Sequence, residues 1–200
     1  PMKLRRTLSV SAVTAALIPM AVAAAPATQA APAPKMPTCY DVDTAYGQYH
    51  NNFFAGRSFG APDIVRLGDQ WHAFTATLTN VSKKELKSFS LRARVDSNVY
   101  NDGEHGLSPY ADLQYWDAGK REWQTLRQGD AATGRIPGPG TLKQRESVHV
   151  QLRFRVREGL SDDQSYDSYA YLYGTFVDRY RGIDCTTTGV TGADFNLRWK

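Results

Sequence analysis

Few residues in this chain stand at spacings that do chemistry, and each such group has a plain structural alternative. Gly56-Arg57-Ser58-Phe59-Gly60 matches Gly-x-Ser-x-Gly, the sharp turn that exposes a nucleophilic serine between a strand and a helix. Ala61-Pro62 follows, and proline drives the residue before it away from helical geometry, so a glycine-rich turn is expected instead. The histidines His50, His72, His105 and His149 are scattered and share no ligand spacing. Asp96-Ser97-Asn98 and Asn101-Asp102-Gly103-Glu104 offer the oxygens calcium takes, but Tyr100 interrupts the spacing and no Glu closes the loop. These patterns point to no catalytic group, no metal site and no cofactor, and the chain reads as non-enzymatic.

Binding chemistry has better candidates. Tyr169, Tyr171 and Tyr173 alternate along one run, and Trp116 and Trp123 flank a tight turn. Flat rings on a rigid sheet can stack on sugars, since each presents apolar area with a polar tip. Arg92, Arg94, Arg153, Arg155 and Arg157 all alternate with apolar residues. If their two strands were neighbours, they would form one basic stripe able to hold an anionic wall polymer.

The elements that position these residues have a period of two. Phe74, Ala76 and Leu78 alternate with threonines up to Asn80, and Phe89, Leu91, Ala93 and Val95 alternate with Ser90, Arg92, Arg94 and Asp96. Leu113 to Trp116 and Trp123 to Leu126 flank Asp117-Ala118-Gly119-Lys120, which predicts a hairpin. Val148, Val150, Leu152, Phe154 and Val156 form the cleanest apolar row, with arginines in the solvent-facing row. A one-residue slip would bury Arg153 and Arg155, so the register is strongly specified. Strands are also expected over Tyr169 to Val177 and Asp194 to Trp199, with turns over Asn98 to Ser108, Gly129 to Gly140 and Gly159 to Ser168. The aromatic stretch Cys39 to Gly60 predicts no clear element beyond a short helix between Val42 and Phe54. Short strands with one apolar face each bury those faces against one another, which predicts an all-β antiparallel two-sheet sandwich.

Two stretches resemble bacterial immunoglobulin-like secreted and surface domains of the actinobacterial type. One is Pro62 to Trp71, with Gly68-Asp69 leading into Phe74 to Asn80; the other is Leu142 to Val148, leading into the strand to Val156. The family usually carries Pro-Gly before its Glu-Ser pair, where this chain has Gln144-Arg145 before Glu146-Ser147. The likeness spans roughly residues 61–180. It implies an immunoglobulin-like sandwich that serves as a spacer, adhesin or sugar-binding module.

The N-terminus predicts the compartment. Lys3, Arg5 and Arg6 precede an apolar stretch from Leu8 to Ala25 and a small-residue cleavage site, the layout of a secretory signal peptide. Cleavage after Ala30 fits best, with Ala23 and Ala25 as alternatives. Ser9, Ser11 and Thr14 make the stretch a poor permanent span, so no membrane span is expected in the mature form. The leader carries three of the 24 Lys+Arg and none of the 20 Asp+Glu, leaving 21 against 20 in the mature chain. That balance gives no reason to invoke nucleic acid. In an oxidising compartment the only two cysteines, Cys39 and Cys185, are expected to pair. The expected organisation is a signal peptide (1–30), an Ala/Pro-rich leader with an aromatic segment (31–60) and a β-sandwich domain (61–200). The expected role is binding or structural at the cell envelope, secreted or wall-associated. The partner would be cell-wall polysaccharide, an anionic wall polymer or another secreted protein. A carbohydrate-binding module is one alternative; a secreted protease inhibitor presenting the Gly129 to Gly140 loop is another.

Overall fold

The computed structural model describes residues 35–43, 47–99, 106–162 and 166–199. The expected signal peptide, His105 and the second half of the oxygen-rich loop lie outside them. In chain order the elements are a one-turn helix α1 (Cys39–Val42), then β1 (Phe54–Phe59), β2 (Ile64–Arg66), β3 (His72–Asn80), β4 (Leu86–Lys87) and β5 (Ser90–Val99). A 3₁₀ turn (Ser108–Tyr110) leads into β6 (Ala111–Asp117), β7 (Glu122–Thr125), β8 (Thr133–Ile136), β9 (Thr141–Leu142), β10 (Ser147–Val156), β11 (Tyr166–Tyr180) and β12 (Ile183–Arg198).

Two five-stranded sheets result, ordered β1-β3-β10-β6-β7 and β2-β12-β11-β5-β8, with β4 and β9 as a separate pair. The β3-β10-β6 and β12-β11-β5 orders match the B-E-D and G-F-C arrangement of an immunoglobulin-like sandwich. Among the named strands β2 is the one that pairs in parallel, against the end of β12, and Thr38 adds an isolated parallel bridge to Thr186. The first-strand region is therefore split, β1 joining one sheet and β2 the other.

The period-two rows meet in the middle. Leu152, Phe154 and Val156 on β10 and Phe74, Ala76 and Leu78 on β3 are buried with Leu91, Ala93 and Val95 of β5 and Ala170, Leu172 and Phe176 of β11. Phe154 is fully buried, its ring 4.8 Å from that of Phe195. Gly174 lets the sheets approach closely, since a Cβ there would stand 2.8 Å from Leu78 Cδ1. A Cβ on Gly189 would run into the Phe54 ring, so β12 passes β1 closely enough to exclude any side chain.

Several elements differ from the sequence reading. Gly56 to Gly60 is mostly edge strand rather than turn: Ser58 lies opposite Ala76 on β1, and β2 follows after Pro62 instead of a helix. The chain alternates there without an apolar row, because β1 is exposed from Ala55 to Phe59. The Gly129 to Gly140 segment contains β8, paired to β5, so it is sheet edge rather than a free inhibitory loop. Asn80, which ends β3, is fully buried, and its Nδ2 donates to the carbonyls of Lys84, Leu142 and Lys143.

The N-terminal segment is fixed to the ends of β11 and β12. Cys39 and Cys185 form a disulfide, with Cα atoms 5.0 Å apart and a sequence separation of 146. Thr38 caps α1 in a capping box with Asp41, and Thr186 N donates to the Pro37 carbonyl at 2.9 Å. Tyr49 is buried edge-on against Tyr180, 5.0 Å between centroids, and its hydroxyl meets Thr187. Asp43, also buried, accepts from the backbone of Gln48 and Tyr49, each at 2.8 Å. No helix among the described residues is long and apolar enough to cross a membrane.

Candidate functional site

Sheet order separates the arginines that the sequence groups together. Strand β5 neighbours β11 and β8, whereas β10 lies in the opposite sheet between β3 and β6. The five arginines therefore form no single stripe. Arg92 and Arg94 share an outer face with Tyr169, Tyr171 and Tyr173; Arg153, Arg155 and Arg157 share the opposite face with Trp116 and Trp123.

On the tyrosine face the register sets the neighbours. Tyr173 lies opposite Arg92, Tyr171 opposite Arg94, and Tyr169 opposite Asp96. On the other side of β5, Arg92 lies opposite Arg135 and Arg94 opposite Thr133. Arg135 went unnoticed in the sequence because a four-residue strand in a Gly/Pro-rich stretch shows no periodicity. Together these residues frame an open cleft of about 560 Å³, lined by Ser90, Arg92, Arg94, Arg135, Tyr169 and Tyr173 among others.

Hydrogen bonds sort the residues around this cleft. Arg94 Nε donates to the buried Asp96 carboxylate at 2.9 Å, and Asp96 also accepts from the backbone of Ser97 and Ser108. Arg94 and Asp96 thus satisfy each other within the protein. Among the described residues Arg92 reaches a neutral partner, Gln128 Oε1 at 3.1 Å, and no carboxylate. Arg135 makes no ion pair with any described residue. Tyr171 leaves the cleft: its ring stacks on Tyr169 at 4.6 Å, and its hydroxyl donates to Asp194 on β12. Tyr173 and Tyr169 remain as the aromatic wall, joined through their hydroxyls. Burial pushes the Tyr173 hydroxyl up to about 12 and raises Tyr169 and Tyr171 as well, so all three are neutral donors at ordinary pH.

The opposite face uses its cations internally. Arg153 lies between Trp71 and Trp123, 4.5 and 4.4 Å from their centroids, and its Nε donates to Gln114 Oε1 at 2.7 Å. Arg155 also lies over the Trp71 ring, at 4.8 Å, and donates to Asp112 at 2.9 Å. Arg157 and Arg127 reach the same carboxylate at 3.8 and 3.3 Å. Burial pushes the Asp112 carboxyl up, but the Arg155 hydrogen bond and the charges of Arg157 and Arg127 outweigh it and hold it below the ordinary range. Trp116 meets Trp123 edge-on at 5.5 Å. Beside this ladder, a shallower groove of about 330 Å³ is lined by Trp123, Gln151, Thr75 and Phe59, the last 85% exposed.

The remaining candidates stay apart. His149 Nδ1 meets Thr77 Oγ1 at 2.9 Å, and His50 is exposed. His72 Nε2 is buried without a hydrogen-bond partner, and burial lowers its pKa. No histidine among the described residues hydrogen-bonds Ser58.

Several solved structures align with the chain. AvmM, which catalyses macrocyclization in alchivemycin A biosynthesis, aligns with a TM-score of 0.52 at 17% identity, over 74% of this chain and 89% of that one. The sporulation control protein Spo0M from Bacillus subtilis aligns at 0.33 and 13% identity, over 73% of this chain and 49% of that one. The major pilin subunit BcpA of Bacillus cereus aligns at 0.37 and 10% identity, over 72% and 39%. At such identities the AvmM likeness concerns the fold, not the residues of a site. No protein-family model and no curated protein matches the chain.

Proposed function

We propose that the protein is an exported, non-catalytic binding module that holds a glycan of the cell envelope in the tyrosine cleft. One observation carries this reading: Tyr169, Tyr173 and three arginines line a single open cleft on a sheet whose inner face is fully packed. Rings held on rigid strands lose little freedom on binding, and tyrosine offers both a stacking surface and a hydroxyl. The Cys39–Cys185 bridge supports an oxidising compartment, in line with the leader pattern of residues 1–30.

Affinity electrophoresis through gels containing envelope polysaccharides tests the reading. Retardation is expected, and Tyr173→Ala should weaken binding about tenfold, the equivalent of about 1.4 kcal/mol. Loss of binding in Trp123→Ala, with Tyr173→Ala unaffected, would move the site to the groove beside Phe59. Sugar release during the assay, or labelling of Ser58 by a serine-reactive probe, would overturn the non-catalytic part. Cell fractionation with N-terminal sequencing tests export: the mature chain should begin at Ala31.

A further inference from the structure

We infer that the ligand of the tyrosine cleft is a linear acidic glycan whose repeating anionic group, a carboxylate or a phosphodiester, seats between Arg92 and Arg135. This rests on the glycan reading above and narrows it to one chemical class.

The cross-strand geometry leads to it. Arg92 and Arg135 are direct register partners on β5 and β8, both exposed. Like charges directly opposite one another destabilise a strand pair, so the arrangement is costly unless an anion lies between them. The fold does not require it. One pair along, the same two strands place Arg94 opposite Thr133, whose hydroxyl donates to the Ala93 carbonyl at 2.8 Å. A neutral residue therefore serves β8 well at that position. Arg94 has its own carboxylate, Asp96, and Asp194 is engaged by Tyr171 beyond the cleft. The cleft thus holds three guanidiniums against one carboxylate that is already paired. Two guanidinium forks facing each other match the planar oxygens of a carboxylate or the non-bridging oxygens of a phosphodiester.

The shape argues for a chain rather than a single sugar. A second groove of about 370 Å³ is lined by Phe89, Ser90, Arg135, Ile136, Pro137 and Gly138. It shares Ser90 and Arg135 with the tyrosine cleft, so the surface path runs from Tyr169 and Tyr173 past the arginine pair and along the edge strand. A ring stacked on Tyr173 would bring its acidic substituent, or that of the next residue, to Arg92. The protonated tyrosine hydroxyls add no negative charge to oppose it.

The experiment is a titration of the full chain against polygalacturonate, wall teichoic acid and dextran at low and high salt. The expected result is binding to an acidic polymer and not to dextran, weakening as salt rises. Preference for polygalacturonate assigns a carboxylate; preference for teichoic acid assigns a phosphodiester. Arg92→Gln and Arg135→Gln should each weaken binding by about tenfold or more, and Arg92→Lys should restore it only in part, because the charge returns without the fork. Arg57→Gln, on exposed β1, should change nothing. Arg135→Gln without ligand should melt no lower than the parent, which separates lost binding from lost folding. Equal, salt-insensitive binding of dextran would overturn the acidic class and leave the glycan reading standing. Acidic-polymer binding unchanged in both glutamine variants would overturn the seat. No binding to any of the three polymers would overturn the acidic class; no binding to neutral envelope polysaccharide either would remove the glycan reading with it.

Discussion

On one outer face of the sandwich Arg153 lies between Trp71 and Trp123, and Arg155, Arg157 and Arg127 converge on Asp112. On the other, Arg92 and Arg135 face each other with no described carboxylate paired to either. The two faces are built from the same side-chain types on the same kind of strand. On the first, stacking and ion pairing are completed within the protein, so the arginines serve as packing and their stems cover the sheet. On the second, Arg94 is paired with Asp96 and Tyr171 with Asp194, but Arg92 and Arg135 have no such carboxylate among the described residues. Counting arginines or aromatic rings does not separate these cases; the partner of each guanidinium does.

The sharpest damage comes from the core that supports both faces. Phe154→Ala should cost about 3–5 kcal/mol, as large buried truncations do, and abolish the difference between the faces along with the fold. Denaturant melts check it, and a variant as stable as the parent would refute the core assignment. Asp112→Asn comes next, at about 2 kcal/mol, because three arginines lose a charged acceptor that is mostly shielded from water. The pH dependence has a definite sign. The folded carboxyl titrates below the ordinary carboxylate range, so its contribution is complete above the unfolded pKa and is lost as pH falls through the folded one. Melts of parent and Asp112→Asn should therefore converge as the pH drops below about 4.

The smaller effects set the faces directly against each other. Arg153→Ala should cost about 1 kcal/mol, since it empties the space between two indoles and strands Gln114, yet leave acidic-polymer binding intact. Arg92→Ala should change stability by less than about 0.5 kcal/mol and remove most binding. Paired melting and titration of these two variants is decisive: if Arg153→Ala loses binding while Arg92→Ala loses stability, the roles of the faces are reversed.

How far the sequence led follows from what period two encodes. It reports which residues of a strand share a face, so β3, β5, β10, the β6–β7 hairpin and the tyrosine row of β11 were all legible. Strand adjacency is not written in any one strand. Arg92 and Arg94 were thus grouped with Arg153 and Arg155 by type, when topology puts a whole sandwich between them. Edge strands were lost for a related reason: β1 has no apolar row, and β8 is too short to show one. Strand β12 is longer than Asp194 to Trp199 suggested because Thr186 to Gly192 lacks alternating apolar residues, and at Gly189 the Phe54 ring fills the space a side chain would take. Trp71 precedes β3, so no strand pattern pointed to it as half of the arginine sandwich.

The bridge between Cys39 and Cys185 also has a mechanical consequence. A force applied at Lys35 and Trp199 passes through the sulfur–sulfur bond. The stretch it spans, a sequence separation of 146, cannot be drawn out while it is intact. Only the short stretches outside it can lengthen, about 60 Å at full extension, against about 500 Å more once the bridge is reduced. Single-molecule extension should show that difference as a contour-length step present only in reductant. Under oxidising conditions the cleft strands β5, β8 and β11 lie within the protected span, so tension on the chain need not open the tyrosine cleft.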